Sequence, residues 1–304
     1  MSTTRTTTDT TSTARRGRVA RALAGLVVAG SLAAVAVPTA GADTNASHLN
    51  FAKCSVVVPV AQIRHTSGGG YWAETKLSCN VTFKFRLSVK EGGVEIPELT
   101  QTFGRFGANS IQTAASRAIK VVPGEAYQVV VSVSDGNGKS LGYMTSDPQV
   151  LNKPTRSNLA RYLLSSPQVT LNGGYVAADL NAAAANKAGS SGALLSVKLL
   201  SVLTKLSLKH SFMITALESG GGGHSGGSLH YSGDAVDFGR FDGNYASGRD
   251  AGSVAAINLM KGLLPSGSGF GQSQCGATPN LPAGITTFPD ACNHLHVQVP
   301  RGTA

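Results

Sequence analysis

Alternation of apolar and polar positions dominates the first half of the chain. Residues 54–60, 81–89 and 127–134 are rich in valine and phenylalanine at a period of two, which predicts strands. Turn-forming clusters at Ser67–Gly70, Glu91–Gly93 and Asp135–Gly138 separate them. Short strands with such punctuation predict an all-β, sandwich-like domain over residues 43–152. Trp72, the only tryptophan, is expected in its core.

The period changes after Pro148 and Pro154, where polar residues and two prolines predict a linker. Residues 157–164 have helical spacing with Ser157 as the expected cap, and Leu194–Leu208 repeats leucine and valine at i, i+3, i+4 and i+7. Between them, Val169–Gly192 is rich in Ala, Asn, Gly and Ser and reads as irregular chain. Phe212–Leu217 and Asp234–Phe238 predict strands, Asp250–Leu264 a helix ended by Pro265, Ser266–Pro289 a long loop, and Leu295–Pro300 a closing strand. Helices beside a small antiparallel sheet give an α+β domain over residues 153–304.

The N-terminus reads as a targeting segment. Arg15, Arg16, Arg18 and Arg21 precede the apolar run Ala22–Val37, and Ala40-Gly41-Ala42 offers a small-residue cleavage site. This predicts a secretory signal peptide over residues 1–42, with the export route left open; the run is short beside the ~20 apolar residues of a membrane span. Net charge is +10; residues 1–42 hold five arginines and Asp9, a net of +4, which leaves +6 on the mature chain. Such a basic exported protein is drawn to anionic wall polymers or membrane surfaces, without stable insertion. No basic run interleaved with aromatics points to nucleic acid. The four cysteines allow three pairings. Cys54–Cys79 and Cys275–Cys292 keep each pair within one domain, while Cys292 as a metal ligand is the competing reading.

Candidate chemistry concentrates in two short segments, His224–Asp237 and Asn293–Val297, which hold four of the seven histidines. His230, Asp237 and His296 would supply nitrogen, oxygen and nitrogen to one metal ion, leaving a fourth position for water as catalytic zinc sites do. His294 and His296 are two apart, so on a strand they share a face. His48, His65 and His210 are expected to be ordinary local residues.

The His-x6-Asp pair with a later His-x-His resembles the zinc D-alanyl-D-alanine peptidases and their relatives. The stretch from His224 to Asp237 is closest to the hedgehog signalling-domain branch, through its Ser-Leu-His-Tyr-x-Gly-x-Ala-Val-Asp core. The resemblance spans roughly residues 211–300 and implies a zinc-peptidase-like α+β fold, Zn²⁺ as cofactor and a peptidoglycan peptide as substrate. Many of these peptidases carry glutamate three positions before the last ligand; Asn293 stands there, and no arginine precedes the first ligand. The basic role then passes to His294, with Asp290 acting directly or orienting it, and His224 would stabilise the oxyanion. The alternatives are a hedgehog-like zinc module that binds without turnover, and a wall-adhesion protein acting through its β domain.

Overall fold

A computed structural model of the chain describes residues 53–56, 61–66, 70–218, 223–271, 273–276 and 280–302. The expected signal peptide, His48 and three of the four glycines at 220–223 lie outside them. Among the described residues, no helix is long and apolar enough to cross a membrane.

Two antiparallel sheets occupy the first half. One pairs Tyr71–Cys79 with Cys54–Val56, Gln62–His65 and Ile111–Ala115. The other is built on Phe83–Glu91 and Ala126–Asp135, with Gln101–Phe106 and Ser140–Thr145 on their free sides. Alternation drives both: Ala73 and Leu77 from the first sheet and Phe85, Leu87, Val129 and Val131 from the second bury in one apolar core. Trp72 departs from expectation. It projects from the opposite face to Ala73 and Leu77, among Glu74 and Lys76, and is only half-buried. Strand parity overrode the pull of its apolar surface.

A second core begins at Leu159 and collects the remainder of the described chain. Its seven-stranded sheet runs Val169–Leu171, Phe212–Ala216, Ala235–Phe241, Leu295–Gln298, Gly269–Phe270 and Thr286–Thr287, with Asn244–Tyr245 beside Ala235–Phe241. The sheet is mixed rather than antiparallel, because Val169–Leu171 and Thr286–Thr287 each join in parallel. The helices are Arg156–Ser165, Gly174–Ala184, Val197–Leu206 and Ala251–Met260. Mixed sheet and four helices fit the α+β class.

Three local expectations need correction. Thr155, not Ser157, caps the first helix: its hydroxyl accepts from the Asn158 amide, while Ser157 donates to the Ala184 carbonyl. Val169–Gly192 is not irregular, since it holds a strand and the Gly174–Ala184 helix. Six alanines in that stretch between 177 and 185 favour helix, which the neighbouring Asn and Gly obscured. The loop 266–289 contains the two short strands that complete the sheet. Both expected disulfides are present, Cys54–Cys79 and Cys275–Cys292, so Cys292 has no free thiolate for a metal. Two disulfides fit an oxidising compartment.

Candidate metal centre

Sheet register brings the candidate ligands together. Ala235–Phe241 and Leu295–Gln298 pair with Asp237 directly opposite His296, the separation at which cross-strand side chains meet. Val236, Phe238, Leu295 and Val297 face the core, so alternation turns Asp237 and His296 the other way. His230 arrives from a 3₁₀ turn, Leu229–Ser232, opened by the Ser228 hydroxyl and closed by Gly233. Gly233 has φ 73°, and a Cβ there would stand 2.6 Å from the Leu194 carbonyl oxygen, so only glycine fits.

Three donor atoms converge. His230 Nε2 lies 3.2 Å from His296 Nδ1 and 3.2 Å from Asp237 Oδ1, and His296 Nδ1 lies 2.8 Å from the same oxygen. Ligands about 2.0–2.1 Å from a tetrahedral metal ion stand about 3.3 Å apart, close to two sides of this triangle, while the 2.8 Å side is a hydrogen-bond distance. Burial alone would raise the Asp237 pKa, but hydrogen bonds and charge from His230 and His296 hold it well below the usual carboxylate range. The Asp237 carboxylate is therefore held in its ionised form, the one able to bind a metal.

The surrounding shell fixes orientation. His230 is fully buried, and its Nδ1 lies 3.1 Å from the Leu217 carbonyl, which selects the tautomer that leaves Nε2 for a metal. Glu218, the next residue, accepts from the Ser191 amide at 2.8 Å and hydroxyl at 2.6 Å and so pins the chain that carries that carbonyl. His296 Nε2 faces Gln298 Oε1 at 3.4 Å. Gly271 passes behind the site: its amide donates to the His296 carbonyl, and a Cβ would meet Asp290 Oδ2 at 2.5 Å and His296 Cβ at 2.9 Å.

All three expected catalytic groups stand beside this triangle. His294 Nε2 is 3.6 Å from Asp237 Oδ1 and 3.5 Å from Asp290 Oδ2, while its Nδ1 lies 2.7 Å from Asn293 Oδ1. His224 stacks on His230 with ring centroids 3.9 Å apart, and its Nε2 is buried without a hydrogen-bond partner. Burial, then the charge of His230, lowers its pKa, which favours the neutral imidazole. A ring nitrogen of His224 lies within ligand reach of His230 and Asp237, so His224 is as well placed to approach a cation as to polarise a substrate. The buried His/Asp cluster can therefore hold a metal ion. His210 is local, with its Nδ1 2.7 Å from Asp242.

The Leu217 carbonyl, Gly271 and Gln298 were not foreseen. Gln298 was within reach, being two residues beyond His296 on the same strand face; the other two act through backbone or lack of a side chain. The site floors a cleft of about 830 Å³ walled by Gly223–Leu229 on one side and Phe288–Asp290 on the other. No protein-family model matches the chain. No curated protein matches it either.

Proposed function

We propose that this chain is a secreted zinc-dependent peptidase that hydrolyses an amide bond in peptidoglycan stem peptides or cross-links. The observation that carries the reading is the convergence of His230 Nε2, Asp237 Oδ1 and His296 Nδ1 at the floor of an open cleft. Zinc held there would supply Lewis acidity toward the scissile carbonyl and a water acidified to a pKa of about 7.

The chain's own groups do the remainder. Asn293 Oδ1 accepts from the Nδ1–H of His294 and directs Nε2 into the cleft, where it takes the attacking water's proton and returns it to the leaving nitrogen. Asp290, 3.5 Å from the same Nε2, stabilises the imidazolium formed once that proton has been taken. His224 lies along the wall, where its unpartnered Nε2 would donate to the developing oxyanion when that nitrogen carries a proton. Buried His230 and the packed sheet behind Asp237 keep the triangle rigid while the cleft face stays open to substrate.

A second reading, a hedgehog-like zinc module that binds without turnover, draws on Asn293, an amide that cannot take a proton from water as a carboxylate would. The deciding experiment incubates the zinc-loaded protein with purified peptidoglycan and follows released D-alanine or cut cross-links by mass spectrometry. His230→Ala and His294→Ala run alongside. Fragments from wild type alone support hydrolysis; identical fragments from all three proteins refute it.

A further inference from the structure

We infer, resting on the reading above, that the amide cut here is internal, with no free carboxylate on the residues flanking it. The argument is one of charge. Among the described residues that line the cleft, Asp237 and Asp290 carry formal charge and none is lysine or arginine. Arg301 touches the cleft wall, but its guanidinium reaches the Gly227 carbonyl at 3.4 Å and its charge acts on buried Asp234.

The metal does not reverse this balance. Two neutral imidazoles and one carboxylate would leave a zinc ion one surplus positive charge, and Asp290 offsets it. Asp290 is held in place: Oδ1 accepts from the Ala291 amide at 2.7 Å, Gly271 backs it, and Oδ2 faces His294. A peptide C-terminus beside the scissile bond would bring an anion toward Asp290 with no partner to receive it, and an unpaired charge in a partly desolvated site is unfavourable. An internal bond brings only neutral amides, which the serine and glycine backbone of the opposite wall can hydrogen-bond. Hydrolysis then joins the water oxygen to the carbonyl carbon, breaks the carbon–nitrogen bond and delivers the proton to nitrogen. The new carboxylate meets the same repulsion, which favours its release.

The test uses Nα,Nε-diacetyl-L-lysyl-D-alanyl-D-alanine as free acid and as C-terminal carboxamide. Cleavage by the zinc-loaded wild type is followed by mass spectrometry, and binding to zinc-loaded His294→Ala by calorimetry. The carboxamide should show at least tenfold higher kcat/KM and tighter binding, and Asp290→Asn should narrow both gaps several-fold. A free acid cut or bound as well as the carboxamide overturns the inference, as does binding of neither form. Preferential binding of the carboxamide with no cleavage of either removes the hydrolytic reading and the cut bond with it, and leaves only a site that prefers a peptide without a free carboxylate.

Discussion

Gly233 shows how tightly single residues are specified around this centre. Its left-handed backbone and the Leu194 carbonyl 2.6 Å from a notional Cβ exclude any side chain. Gly233→Ala should cost about 1–3 kcal/mol, read by urea denaturation, and should weaken zinc affinity because it joins His230 to Asp237. His294→Ala is expected to lower kcat by about 10²–10⁴-fold while zinc stays bound, measured by turnover and metal analysis on the same sample. The spacing of His230, Asp237, His294 and His296 was legible because side-chain type and strand parity are written in the sequence. The Leu217 carbonyl was not: every residue has a carbonyl, and which one meets His230 Nδ1 depends on tertiary folding.

At the scale of elements, capping decides where helices begin. Asp250 Oδ1 accepts from the Ser253 amide at 2.8 Å, and Oδ2 accepts from the Ser247 amide at 2.7 Å. Burial would raise the Asp250 pKa, but these bonds outweigh it and hold it below the usual range. A depressed folded pKa means the carboxylate's contribution is complete above the unfolded value, about 3.9, and is lost as pH falls through the folded one. Asp250→Ala should cost about 1 kcal/mol at neutral pH, and the gap to wild type should shrink in thermal melts below pH 4. The Val197–Leu206 helix was readable from its leucine period. The Gly174–Ala184 helix was not, since alanine on nearly every face leaves little period to read.

For the molecule as a whole, the two disulfides act in different places. Cys54–Cys79 joins neighbouring strands in the first half, whereas Cys275–Cys292 ties a loop to the segment that carries Asp290 and His294. Gln274 reinforces the tie, donating from Nε2 to the Asp290 carbonyl at 2.6 Å. Replacing Cys275 and Cys292 by serine should therefore reduce turnover at least tenfold while circular dichroism and zinc content stay near wild type. The candidate ligands sit on paired strands and a buried turn; the candidate proton-handling groups depend on the tether. Two separate cores were foreshadowed by the change of period near residue 150. The mixed sheet was not, because parallel partners such as Val169–Leu171 and Phe212–Ala216 are set by contacts distant in sequence.

The facing pair Asp237 and His296 belongs to a ladder whose backbone bonds run from Ala235 to Phe238 and from Leu295 to Gln298. That ladder closes on its own amides and carbonyls, so the receptacle exists before any ion enters it. Order of events follows: the polypeptide can mature first and be charged with metal afterwards. A chelator-stripped sample should keep its native spectrum and regain full turnover within the time of mixing when zinc is returned, without a refolding lag.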